Sequence, residues 1–329
     1  MLTEHLPRIR LGQLPTPLHE LPRLSQALGG PRLLIKRDDQ TGLAAGGNKT
    51  RKLEFSLAEA RRQGCDTLVT LGAVQSNHAR QTAAAAALCG LRCALVLRGH
   101  APASVSGNLL LDRLLGARVV FSGDRSLELA AADVVEEERD AGHRPCLIPL
   151  GASDEVGAAG FVAAIEELQV QLLEQRLSVD RVVFASSSGG TQAGMCVGAK
   201  TLGFEPQLAA VAIDGARHEV QACVAGIAAR LARRLGVETA VAPGDVVVHD
   251  GYLGGGYAVL GDAEREAISL AARYEGLLLD PVYTGRAMAG LLDLVRQGEI
   301  GRKETILFWH TGGTPALYAY ADELLATER

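Results

Sequence analysis

The sequence predicts an α/β protein built on two open, twisted, mainly parallel sheets flanked by helices, and three observations predict it. Short runs rich in Val, Leu and Ile alternate with longer segments of helical period. The short runs are apolar throughout rather than alternating, which implies strands covered on both faces. Helical segments lie between successive strands, which implies parallel crossovers. The expected strands cover 33–36, 67–71, 93–97, 118–121, 146–148, 181–185, 208–213 and 305–309. The expected helices cover 50–63, 77–89, 105–116, 126–141, 157–176, 191–202, 218–235, 262–275, 285–297 and 314–326. A chain of 329 residues has room for two domains. Residues 55–165 are expected to form a small domain inserted in a larger one made of 1–54 and 166–329. In open sheets of this kind ligands bind beyond the carboxyl ends of the strands, so the loops that follow strands are where chemistry is sought.

Composition excludes several classes of function. Apolar residues make up 47% and charged residues 22%, an ordinary globular mix. The net charge of −5 and the dispersal of Lys and Arg argue against a nucleic-acid partner. No basic segment followed by an apolar run opens the chain, and no stretch reaches the ~18 apolar residues of a membrane span. Cysteines 65, 89, 93, 146, 196 and 223 contain no CxxC pair, so reduced thiols in a cytoplasmic protein are expected. Histidines 78, 100, 143, 218, 249 and 310 are isolated, and no metal site is expected.

The segment Gly46-Gly47-Asn48-Lys49-Thr50-Arg51-Lys52 carries the first chemical signal. Two glycines permit a sharp turn and close approach to a ligand, and Asn48 is expected to cap the helix that follows. Lys49 then lies in the first turn, where amide groups and the helix dipole attract an anion and disfavour another cation. Lys52 falls three residues on, nearly on the same face. One lysine could hold a phosphate while the other, lowered in pKa, attacks a carbonyl.

Four further loops follow strands or precede helices. After Leu71 comes Gln75-Ser76-Asn77-His78, where Ser76 or Asn77 would cap a helix and an anion could bind, with His78 beside it. After Ala185 comes Ser186-Ser187-Ser188-Gly189-Gly190-Thr191, whose amides and hydroxyls suit a phosphate. It is neither a Walker loop nor a dinucleotide fingerprint, so a smaller phosphorylated cofactor is expected. Thr311 follows the strand ending at Trp309, and Tyr283 and Tyr257 lie in irregular stretches, Tyr257 after a glycine run.

Taken together these stretches resemble the fold-type II pyridoxal-phosphate enzymes, in the branch of D-cysteine desulfhydrase, L-cysteate sulfo-lyase and 1-aminocyclopropane-1-carboxylate deaminase. The resemblance spans nearly the whole chain, through Pro15-Thr16-Pro17-Leu18, Ile35-Lys36-Arg37-Asp38-Asp39, the Lys49 and Ser76 segments, Asp280-Pro281-Val282-Tyr283-Thr284-Gly285 and His310-Thr311-Gly312-Gly313. It implies a tryptophan synthase β-like fold with the active site in the cleft between a large and a small domain. It implies pyridoxal 5′-phosphate as cofactor, a small amino-acid substrate and a homodimer, with no nucleic-acid or membrane partner.

By this resemblance Lys49 looks like the lysine that holds the cofactor as a Schiff base and then acts as the base. Asn77 would meet the ring oxygen, Ser188, Gly189, Gly190 and Thr191 the phosphate with Lys52 nearby, and Thr311 the pyridine nitrogen. Ser76, Asn77, His78, Tyr257 and Tyr283 would face the substrate, with Ser76 and His78 at its carboxylate and Tyr283 as a proton donor. The deaminases typically carry an acid where this chain has Thr284, which argues against cyclopropane opening. The implied activity is α,β-elimination from D-cysteine to pyruvate, ammonia and hydrogen sulfide. L-Cysteate is the alternative, set second because no arginine beyond Arg80 is obviously placed for a sulfonate. A phosphate-binding protein without turnover would require none of Lys49, Ser76 and Tyr283.

Overall fold

Strands without polar alternation must pack on both faces, and here they do. The computed structural model describes residues 2–326. Its elements run β1 (Leu18–Glu20), α1 (Pro22–Leu28), β2 (Arg32–Arg37), α2 (Lys49–Arg62), β3 (Thr67–Gly72), α3 (Asn77–Cys89), β4 (Arg92–Leu97), α4 (Gly107–Leu114), β5 (Arg118–Phe121), α5 (Leu127–Asp140), β6 (Pro145–Ile148), α6 (Ala159–Gln175) and β7 (Arg181–Ser186). They continue through α7 (Gly190–Leu202), β8 (Gln207–Ala212), α8 (Arg217–Leu235), β9 (Val247–His249), α9 (Asp262–Glu275), α10 (Thr284–Arg296), β10 (Thr305–His310), α11 (Thr314–Leu317) and α12 (Ala321–Leu325).

A six-stranded sheet has the order β1-β2-β10-β7-β8-β9, and a four-stranded sheet the order β5-β4-β3-β6. All pairings are parallel except β1 with β2. The pleat sends Val182, Phe184, Leu307 and Trp309 to one face of the larger sheet, against α6, α7 and α8. Val183, Ile306 and Phe308 point the other way, against α9 and α10. In the smaller sheet Val69, Leu71, Ala94 and Val96 pack on α5. Leu68 meets α2 and α3 on the opposite face. Phe161 and Trp309 meet with ring centroids 5.8 Å apart; truncating either to alanine is expected to cost about 3–5 kcal/mol.

Four features differ from the sequence expectation. β1 and β9 are three-residue edge strands, too short to show a period, and α1 is a seven-residue turn of helix begun by Pro22. The helix expected over 314–326 is broken by a tight turn at Tyr318–Tyr320. Cys65 and Cys146 form a disulfide with Cα atoms 5.9 Å apart, which corrects the expectation of six reduced thiols. The pairing of β3 with β6 brings these residues together across 81 positions of sequence, a proximity that spacing cannot reveal. Among the described residues no helix is long and apolar enough to cross a membrane, and no cluster of metal-ligating side chains occurs.

Candidate active site

Lys49 opens α2, and the chain reaches it through Gly46 and Gly47, at φ of 66° and 128°. A Cβ at Gly46 would collide with the Asp39 carbonyl, and one at Gly47 with the Gln81 amide, so both positions require glycine. Asn48 does not cap the helix: its backbone is helical, and its Nδ2 donates to Thr191 Oγ1 at 3.1 Å instead. That corrects the expected cap, and it ties α2 to α7. The firmer anchor is Arg51, two residues after Lys49. Its guanidinium forks onto both Asp38 oxygens at 2.8 Å and onto both Glu167 oxygens at 2.9 and 2.8 Å. Burial pushes the Glu167 carboxyl up, but hydrogen bonds and charge from Arg51 and Lys36 outweigh it and hold the group at about 2. This network fixes the start of α2 against β2 and α6.

Lys49 is enclosed by protein except where it opens onto a cavity. Burial lowers its amine to about 8, against an opposing pull from Asp280. Lys52 is fully buried and falls well below the usual lysine value, first through burial and then through the charge of Lys49. Its Nζ donates to Gly151 O and to Ser153 Oγ, both at 2.9 Å, and Ser153 Oγ lies 2.7 Å from Ser188 Oγ. Neither lysine makes an ion pair among the described residues. Gly189, at φ 79°, turns the chain into α7, whose N-terminus has no side-chain cap. A Cβ at Gly190 would lie 2.7 Å from Ser153 Oγ and 2.8 Å from Lys52 Nζ. Two amines that make no ion pair among the described residues, beside an uncapped helix start, form a cradle for an anion. Ser153 was not visible as a site residue in the sequence, because it stands in another loop and reaches the cradle only through the fold.

On the facing sheet, Ser76 caps α3 by accepting the Ala79 amide at 3.1 Å, which leaves its own proton free. Asn77 Oδ1 accepts from Asn108 at 2.9 Å, so that its NH2 remains available as a donor. His78 is buried, and burial followed by the charges of Lys49 and Lys52 drives its pKa well down, so the ring is neutral. The Thr70 hydroxyl gives its single hydrogen to Ile148 O at 2.9 Å, so His78 Nε2, 2.8 Å away, must donate to Thr70. Nδ1 is then an unpartnered acceptor. In this arrangement His78 offers neither charge nor a free N–H to a substrate carboxylate.

Tyr257 and Tyr283 meet edge to face, their hydroxyls 2.7 Å apart. Burial holds the Tyr283 phenol well above its ordinary value, aided by Tyr257. Asp280 fixes this corner: its carboxylate accepts the amides of Val282, Tyr283 and Thr284 at 3.1, 3.0 and 2.7 Å, and the Thr284 hydroxyl at 2.8 Å. Thr284 is thereby turned into the protein rather than toward ligand.

These parts surround one cavity of about 390 Å³ between the carboxyl ends of the two sheets. Lys49, Ser76, Asn77, His78, Ser188, Gly189, Thr191, Tyr257, Tyr283 and Thr311 all line it. Lys52 and Gly190 stand behind its wall. Arg98 and Asp214 also line it and were not anticipated from the sequence. Arg80, the arginine considered for a sulfonate, is buried and donates to the Ala44 and Gly46 carbonyls, away from the cavity.

A family model described as "Pyridoxal-phosphate dependent enzyme" matches residues 9–312. The chain belongs to that family. It is 43% identical over 324 residues to a protein of Salmonella typhi named D-cysteine desulfhydrase, covering 95% of this chain and 96% of the relative. It is 40% identical over 327 residues to a Pyrococcus abyssi protein provisionally named 1-aminocyclopropane-1-carboxylate deaminase, covering 98% and 97%. A solved structure titled as that of an ACC deaminase homologue superposes with a TM-score of 0.91 at 37% identity, covering 99% of this chain and 97% of the other. The chain is therefore a pyridoxal-phosphate dependent enzyme, and the anion cradle beside Lys49 fits the phosphate of that cofactor.

Proposed function

We propose that this enzyme eliminates the sulfur group from a cysteine-like amino acid, with D-cysteine giving pyruvate, ammonia and hydrogen sulfide. The observation that carries the reading is a base and an acid lining one cavity: an amine lowered to about 8 at Lys49 and a phenol that keeps its proton at Tyr283. Ser188, Gly189, Gly190 and Thr191, with Lys52 and Ser153 behind them, would hold the cofactor's phosphate, the Asn77 NH2 its ring oxygen and the Thr311 hydroxyl its pyridine nitrogen. Bound pyridoxal phosphate supplies an electron sink for the carbanion at Cα. Lys49 Nζ takes the Cα proton, and the Ser76 hydroxyl orients the substrate carboxylate. Tyr283 gives its proton to the departing thiolate and is resupplied through Tyr257 across the 2.7 Å hydrogen bond.

The identity to a named D-cysteine desulfhydrase supports this reading. Cyclopropane opening is disfavoured because Thr284 is neutral and committed to Asp280. L-Cysteate, with sulfite leaving, stands as the alternative substrate. The domain division of 1–54 plus 166–329 and 55–165 is kept as a proposal, supported by the partition of strands between the two sheets. A homodimer is proposed on the family resemblance.

Pyruvate release by the cofactor-loaded enzyme, measured side by side with D-cysteine, L-cysteine, L-cysteate, D-serine and 1-aminocyclopropane-1-carboxylate, tests the reading. The highest kcat/KM is expected with D-cysteine. A clear preference for the cyclopropane would refute it.

A further inference from the structure

Three charged side chains line the cavity besides the neutral His78: Lys49, Asp214 and Arg98. Lys49 is committed to the chemistry, and Asp214 repels anions. Arg98 directly follows β4, and its amide donates to Gly72 O at 2.9 Å, which sets it beside the strand end that leads to Ser76. Its side chain is exposed to the cavity and makes no hydrogen bond or ion pair among the described residues. A guanidinium with all five N–H groups unspent is a fork for an oxyanion. It lines the same cavity as Tyr257 and Tyr283. Burial raises the Tyr257 phenol, the hydrogen bond with Tyr283 lowers it, and the smaller upward pushes of Asp214 and Asp280 are opposed by Arg98. Tyr283, on the wall of that cavity, is the group proposed to meet the substituent leaving Cβ.

We propose that Arg98 is a specificity-determining residue that reads negative charge on the Cβ substituent. It favours a thiolate or a sulfonate there over a hydroxyl or a hydrogen, and it extends elimination to β-sulfonates. The proposal rests on the elimination reading above. In the sulfonate reaction the Cα–H bond breaks with its proton passing to Lys49. The Cβ–S bond breaks with its electron pair leaving on sulfur as sulfite, and water hydrolyses the unsaturated amine to pyruvate and ammonium. No oxidant or reductant is needed.

The test uses the full, cofactor-loaded chain as wild type, Arg98→Gln and Arg98→Lys. Steady-state kinetics are measured with cysteate, D-cysteine and D-serine. Binding of aspartate and of alanine is followed by the absorbance of the bound cofactor. Aspartate carries an anion at Cβ that cannot leave, and alanine carries none. Arg98→Gln is expected to raise KM for cysteate, and the aspartate dissociation constant, at least about tenfold more than it raises the values for serine and alanine. Arg98→Lys is expected to recover part of the loss, and the wild-type preference for aspartate should weaken with added salt. Equal losses for charged and neutral ligands would overturn the proposal and point to a structural role, such as pairing with Asp214. A wild type that binds aspartate no better than alanine would also overturn it. Absence of turnover with every substrate would instead defeat the elimination reading, while the binding comparison would still decide the role of Arg98.

Discussion

Replacing Lys49 with methionine in the cofactor-free protein should make it more stable, by an amount that depends on pH. The folded amine sits at about 8 and the unfolded one at 10.5. Between these values the unfolded chain holds a proton that the folded chain does not, so wild-type stability rises with pH across that window. Below it both forms are charged and the penalty is present in full. The wild type therefore carries a burden of about 3 kcal/mol at pH 7, falling to about 1 kcal/mol at pH 10. The first figure is an upper value because the cavity admits water to the amine. Removing Lys49 also relieves Lys52, whose pKa it depresses, and this acts in the same direction. Urea unfolding of both apoproteins at pH 7 and pH 10 measures the difference. Lys49→Met is expected to lead by more at pH 7 than at pH 10, by about 2 kcal/mol. A lead independent of pH would refute the claim that the amine is desolvated.

Gly190→Ala places a methyl 2.7 Å from Ser153 Oγ and 2.8 Å from Lys52 Nζ. Cofactor affinity, measured by titrating the apoprotein, should fall tenfold or more, whereas Gly203→Ala at the far end of α7 should leave it unchanged. Tyr283→Phe removes the proposed acid and should lower kcat with D-cysteine about 10²-fold. The loss should be smaller with cysteate, because sulfite is a weaker base than thiolate. Ser76→Ala removes both the cap of α3 and the proposed carboxylate contact. Urea denaturation should show a loss of about 1 kcal/mol, and kinetics should show a raised KM.

What the sequence disclosed follows from physical range. The apolar runs at Val182-Val183-Phe184 and Leu307-Phe308-Trp309 announce strands because an unbroken apolar run suits a sheet covered by helices on both faces. Gly46 and Gly47 announce a turn because no other residue escapes collision there. The serine-glycine loop before α7 and Ser76 before α3 are legible for the same reason: capping and anion binding are local. Features that depend on distant chain were not legible. The partner of Cys65 lies across the β3–β6 pairing, Ser153 joins Lys52 through a loop a hundred residues on, and Arg98 acquires its meaning only from the wall of the cavity. Local rules also failed where a tertiary contact outbid them. Asn48 gave up the cap for Thr191, and His78 lost its charge to burial beside two lysines.

The most direct test of the site is the covalent address of the cofactor. Borohydride reduction of the pyridoxal-phosphate-loaded protein, followed by peptide mass mapping, should place the added mass on Lys49, with none in Lys49→Ala. A label on Lys52 or any other lysine, or no label on a saturated wild type, would contradict the account.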